Sequence, residues 1–122
     1  MPVDSNSLGG KERRRHQRVK VRVSVEIRTG EGAPPLRLST DDISLCGCYV
    51  ETMFPLDVGA KVFMTLWLNE QSVRTNAVVA TKYPQLGNGF DFVDMSLDDL
   101  LKVSEFINTM AQPQTPQSLP IA

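Results

Sequence analysis

A chain of 122 residues with 41% hydrophobic and 22% charged residues is long enough to bury one self-sufficient core and is sized for a single domain. The net charge of −1 hides an asymmetry: the first 22 residues carry seven Lys or Arg against Asp4 and Glu12, the remainder six against twelve. A basic arm on an acidic body argues for a local anion site and against a surface coated for bulk nucleic-acid binding; the apolar runs, of which Val62 to Leu68 is the best, are too short to span a bilayer.

The N-terminus is polar, with no apolar stretch of the kind a secretory signal needs, and residues 1–11 read as a flexible arm rich in Ser, Gly and Asn. The basic segment follows, Lys11-Glu-Arg-Arg-Arg-His-Gln-Arg18. Val19, Val21, Val23, Val25 and Ile27 then alternate with Lys20, Arg22, Ser24, Glu26 and Arg28. Strict period two with β-branched residues on one face predicts a single half-buried strand of ten residues. Gly30, Gly32 and Pro34-Pro35 end it.

A second strand is expected from Leu36 to about Asp41, with Leu36 and Leu38 inward, followed by a turn over Asp42 to Gly47 and a third strand from Cys48 to Glu51. Lys61 to Leu68 reads as a strand apolar on both faces, placed mid-sheet or under a helix. Asn69 to Gln71 turns the chain into a strand over Val73 to Lys82, and Phe90-Asp-Phe92 follows the Gly87-Asn-Gly89 turn as a last short strand. Ser96 is a good N-cap, with Asp98 and Asp99 in the positive first turn. Leu100, Val103, Phe106, Ile107 and Met110 form one apolar face at helical spacing. Residues 111–122 form a Pro/Gln-rich tail expected to be disordered. About six short strands and one helix make a mainly β fold, in which strand edges are closed by a barrel or sandwich.

The candidate chemistry lies in two segments. Arg14 and Arg18 offer paired N–H donors that fit a phosphate or the O6/N7 edge of guanine. Asp42-Ile-Ser-Leu-Cys-Gly47 offers an acceptor-only carboxylate suited to the N1/N2 edge of guanine, a hydroxyl of either polarity, and a glycine that lets backbone approach. Together they complement a guanine nucleotide. Each is weak alone, since arginine runs are commonly solvated and Asp-x-Ser-x-x-Gly is an ordinary turn composition. Cys46 and Cys48 are too close in sequence for a disulfide, and with His16 as the single histidine neither a zinc site nor a His-paired nucleophile is available. They read as small apolar side chains in a reducing, cytoplasmic setting. Tyr83, beside the Gly-rich turn, is a candidate stacking residue.

Arg14-x-x-x-Arg18 before a valine-rich strand, then Asp42-x-Ser44-x-x-Gly47, resembles the bacterial PilZ domain, a receptor for cyclic di-GMP. Gly89-Phe-Asp-Phe-Val-Asp-Met-Ser followed by a helix is similar to the close of that domain, so the likeness spans residues 12–110. The resemblance implies a six-stranded antiparallel β-barrel with a C-terminal α-helix. It implies that Arg14 and Arg18 grip phosphate and guanine, that Asp42 and Ser44 hold base and phosphate groups from the other side, and that Gly47 closes the turn. Arg13 would favour a stacked dimer of the ligand, and Arg15 would assist with phosphate. Cys46 and Cys48 stand where Gly or Ala is common in the family.

The expectation is a non-enzymatic cyclic di-GMP receptor with no cofactor and no metal. Its arm would order on binding and signal to a downstream protein partner in motility, secretion or polysaccharide synthesis, without specific nucleic-acid binding or membrane insertion. The alternatives are a PilZ-type protein-interaction adaptor that binds no nucleotide and, less well supported, a nucleic-acid binder using the arm, for which no aromatic ladder or recognition helix is present.

Overall fold

The computed structural model describes residues 17–30 and 32–111. Among these residues seven strands precede one helix: β1 (Val19–Lys20), β2 (Ser24–Arg28), β3 (Leu36–Ile43), β4 (Gly47–Glu51), β5 (Lys61–Leu68), β6 (Gln71–Tyr83), β7 (Gly87–Val93) and α1 (Leu97–Ala111). β2 pairs with β3 and β5, β5 with β6, β6 with β7, β7 with β4, and β4 returns to β3, every pair antiparallel. β1 continues β2 along the same neighbour, β3. The result is a closed six-stranded antiparallel barrel with a C-terminal helix, as the resemblance implied; closure gives each of the six barrel strands a partner on both sides.

Of the alternating set in the first strand, Val19, Val25 and Ile27 are buried and Val21 and Val23 partly so. Val25 and Ile27 of β2, Met64 and Leu66 of β5, Val73, Ala77 and Val79 of β6 and Phe90 of β7 are all buried. β5 sits between β2 and β6, and four residues of its inward face, Val62, Met64, Leu66 and Leu68, lie in the core. Outside, Arg37 stands 5.7 Å from the centre of the Trp67 ring, while Phe63 is left exposed.

The helix packs against β6 and β1. Ser96 accepts the Asp99 amide on Oγ at 3.1 Å, the expected cap, and Asp99 in turn accepts the Arg74 amide of β6 at 3.2 Å. Val103, Phe106 and Ile107 are buried, each contributing roughly 1.5–3 kcal/mol of transfer free energy. Leu100 is half-buried and Met110 exposed, so the apolar contact is narrower than the five-residue face the spacing predicted.

Two departures from the expected strands matter for the site. The ten-residue first strand is interrupted at residues 21–23. There the register against β3 slips by one between Lys20↔Asp42 and Ser24↔Ser39, and the Thr40 hydroxyl fills the break, donating to Val21 O at 2.7 Å and accepting from Val23 N at 3.1 Å. The second departure is that β3 runs on through Ile43, so the turn is shorter than Asp42 to Gly47. Leu36, expected inward, is 40% exposed at the start of the strand, where the barrel wall ends.

Thr40 and Ile43 are both buried although three residues apart, which strict alternation forbids. A β-bulge resolves the conflict: Thr40 faces Val50 and Asp42 faces Tyr49, leaving Asp41 as the extra residue. The bulge turns Asp42 to the outer wall while Ile43 returns to the core. A second bulge at Ala80, between Val79↔Phe90 and Thr81↔Gly89, does the same for β6: Val79 faces in, and Thr81 and Tyr83 face out opposite Gly89 and Gly87.

Candidate ligand site on the outer barrel wall

β1 places Val19 opposite Ile43 and Lys20 opposite Asp42, which sets Arg18 beside the end of β3. Its guanidinium donates to Asp42 Oδ1 at 2.6 Å, so members of the two sequence segments, 24 residues apart, meet at one point of the barrel rim. Arg18 is about half exposed, and Asp42 keeps 18% of its side chain accessible. Lys20 lies 4.0 Å from Asp41. Arg13, Arg14 and Arg15 lie outside the described residues, as do residues 1–11 of the expected arm and the tail from 112 onward.

Ser44 and Gly47 form the turn that carries Asp42. Ser44 N donates to Gly47 O at 2.8 Å, and Ser44 Oγ accepts from Cys46 N at 3.2 Å while standing 3.4 Å from Gly47 O. The serine is 1% exposed, and its hydroxyl serves the turn's own backbone. Gly47 stands against β7 so closely that a Cβ would lie 2.0 Å from Phe90 O. Cys46 O accepts from Phe92 N at 2.8 Å, which ties the turn to β7.

Both cysteines are free. Burial pushes the Cys48 thiol far above its ordinary value, the Asp42 carboxylate adds to the rise, and Arg18 opposes it. A thiol that stays protonated is a poor nucleophile. Cys48 is therefore expected to resist iodoacetamide in the native protein and to react only on unfolding, with Cys46 alone modified first. Peptide mapping of the alkylated protein measures this, and early labelling of Cys48 would contradict it.

Tyr49 is a residue of this wall that the sequence did not point to. It is half-buried, opposite Asp42 on one side and Gly89 on the other. Its ring centre lies 6.1 Å from that of Tyr83. Burial raises its phenol above the usual value, and Tyr83, Glu51, Asp41 and Asp42 raise it further, so the ring stays neutral. The signal available in the sequence was the in–out alternation across Cys48-Tyr49, which needed the register to become informative.

A separate groove of about 650 Å³, lined in part by Phe63, Val78 and Val93, shares no residue with this site. Among the described residues no group of three or more His, Cys, Asp or Glu could hold a metal ion, and no helix is long and apolar enough to cross a membrane.

The model of the PilZ domain family matches residues 12–109. Solved structures with the same fold include the PilZ domain of YcgR from Escherichia coli with c-di-GMP, at 17% identity over 80% of this chain and 91% of that one, TM-score 0.66. A larger YcgR chain in complex with c-di-GMP, also from Escherichia coli, matches at 14% identity over 90% of this chain and 51% of that one, TM-score 0.71. The inhibitor of motility MotI/DgrA of Bacillus subtilis matches at 17% identity over 77% of this chain and 49% of that one, TM-score 0.68. The chain thus spans about half the length of the two larger relatives. No curated protein matches the sequence significantly.

Proposed function

The chain belongs to the PilZ domain family, and on that premise we propose that it is a cyclic di-GMP receptor that passes the signal to a partner protein and performs no chemistry on the ligand. The observation that carries this is the meeting of Arg18 and Asp42 at 2.6 Å, donor and acceptor halves of a guanine and phosphate clamp on one exposed rim. Two of the structures that share the fold contain c-di-GMP, which supports the same reading.

In this reading Arg14 and Arg18 hold phosphate and the O6/N7 edge of guanine, with Arg13 and Arg15 adding positive charge beside them. Asp42 takes the N1/N2 edge. Ser44 and Gly47 keep the turn in the shape that presents Asp42 and the adjoining backbone to the ligand. Binding competes with the Arg18–Asp42 ion pair, which is partly solvated and therefore worth only about 0–1 kcal/mol. Charge-assisted hydrogen bonds from several arginines, about 1.5–3 kcal/mol each, exceed that cost.

The arm from Arg13 to Arg18 would gain order over the rim as the ligand binds, at about 1–2 kcal/mol of backbone entropy per residue, and so create a new composite surface for the partner. The fold it shares with the motility inhibitor of Bacillus subtilis is compatible with a partner in motility; secretion and polysaccharide synthesis are the other settings the family suggests.

Isothermal titration with cyclic di-GMP, paired with hydrogen exchange, tests both parts. Saturable binding and slowed exchange over residues 11–18 are expected, with GTP and GMP binding far more weakly because neither presents two guanines on one ring. Absence of binding would leave the nucleotide-independent adaptor as the better reading. Binding with unchanged exchange would remove the arm-ordering step alone.

A further inference from the structure

The two bulges build something that the Arg18–Asp42 clamp does not use. On the outer wall, Asp42 is followed across the sheet by Tyr49 and then by Gly89. One step along the strands, Glu51 is followed by Gly87 and Tyr83. Without the bulge at Asp41, Asp42 would point into the barrel; without the bulge at Ala80, Tyr83 would. Both irregularities therefore turn side chains onto the same strip of wall, on either side of Tyr49. Bulges are concentrated beside functional sites because they re-aim side chains in this way.

The floor of the strip is glycine. Gly87 and Gly89 both face outward on β7, so β7 itself raises no side chain beside Tyr49, and the small Thr81 side chain leans over Gly89, its hydroxyl accepting from Gly89 N at 3.1 Å. The phenol end of Tyr49 lies over Gly87: a Cβ on Gly87 would lie 2.8 Å from its hydroxyl oxygen and 3.0 Å from Cζ. Tyr83 meets the ring from the far side, tilted by 54°. The ring is held by the glycine floor and the second tyrosine, yet stays half-exposed. Side chains directly opposite across an antiparallel pair have Cβ atoms about 4.5–5.5 Å apart. A base held by the Asp42 carboxylate therefore lies within one ring width of Tyr49.

We propose that Tyr49 is a base-stacking platform of the cyclic di-GMP site, prepositioned beside Asp42 by the glycine floor of β7 and by Tyr83. The inference rests on the receptor reading and deepens it: Asp42 recognises the edge of a guanine, and Tyr49 supplies a flat face for the base. A ring fixed before the ligand arrives loses little freedom on binding, which is what makes an aromatic platform effective.

Tyr49→Leu keeps an apolar side chain at this point of the wall while removing the π face, and Tyr49→Phe keeps the face while removing the hydroxyl. Titration with cyclic di-GMP should show Tyr49→Leu weaker by about tenfold to a hundredfold, the range carried by one base–aromatic stack. Tyr49→Phe should bind as the parent does. The parent itself offers a second readout, because the chain has only two tyrosines. With ring-labelled tyrosine, the Tyr49 resonances should move upfield at saturating ligand, Tyr83→Phe identifying which signal is which. If Tyr49→Leu fails to fold, that spectrum decides alone. A parent that binds while the Tyr49 ring signals stay put, or a folded Tyr49→Leu that binds equally well, overturns the platform. A parent that shows no binding instead overturns the receptor reading on which it stands.

Discussion

Gly47→Ala is expected to destabilise the domain by about 3 kcal/mol, the upper end of what overpacking costs, and to abolish cyclic di-GMP binding at concentrations that saturate the parent. The added Cβ would sit 2.0 Å from Phe90 O, 3.1 Å from Phe90 C and 3.3 Å from Asp91 Cα. All three atoms belong to backbone, and the β7 chain they lie in is paired on both edges, to β4 and to β6. No rotamer change relieves the clash; β4 and β7 must separate, and with them the turn that holds Asp42. Gly30→Ala is the control, since nothing lies within 4 Å of a Cβ there. Urea unfolding should show a large fall in midpoint for Gly47→Ala and almost none for Gly30→Ala. Equal midpoints would mean that the turn does not press on β7 as described.

The second large effect is on binding with the fold preserved. Arg18→Ala and Asp42→Ala should each weaken cyclic di-GMP binding by about 1–3 kcal/mol, as expected for a lost bidentate or edge contact. Either change should alter unfolding free energy by less than about 1 kcal/mol, because the pair sits at a partly solvated rim. The two residues touch in the free protein, so their effects should not add: removing one releases the other from a competing partner. A double-mutant cycle followed by calorimetry measures this coupling. Parent-like affinity in both single variants would remove the clamp from the site.

The parts of the fold that could be read in the sequence were those where side-chain pattern and backbone agree. β5 has the boundaries that its apolar run indicated, Lys61–Leu68, and the Ser96 cap and the Val103, Phe106 and Ile107 contacts of α1 follow from local composition. β3 could not be read in the same way. Leu36-Arg-Leu-Ser-Thr-Asp-Asp-Ile mixes polar and apolar residues without a steady period, and its inward set includes Thr40, whose hydroxyl bonds a break in the neighbouring strand. The bulge that exposes Asp42 is a property of pairing with β4, which no local pattern encodes.

The site shows the same division. The Asp42, Ser44 and Gly47 spacing was visible because a turn and a close approach both demand particular residue types. Ser44 was legible as a motif position, although its hydroxyl serves the turn itself. Tyr49 was not, since its value lies in facing Asp42 across two strands. Arg13, Arg14 and Arg15 belong to the segment outside the described residues, so their part in the clamp rests on the titration and exchange experiments.

The supernumerary residue at position 41 has a consequence for how such a domain can change. A pleated strand keeps a fixed inside and outside, and one insertion exchanges them for everything downstream within that strand. Excising that single amino acid would leave every letter of the Asp-x-Ser-x-x-Gly signature intact while rotating its carboxylate away from solvent. Were Asp42 to recognise the ligand as proposed, that change in chain length alone would switch recognition off, and a signature search would not notice.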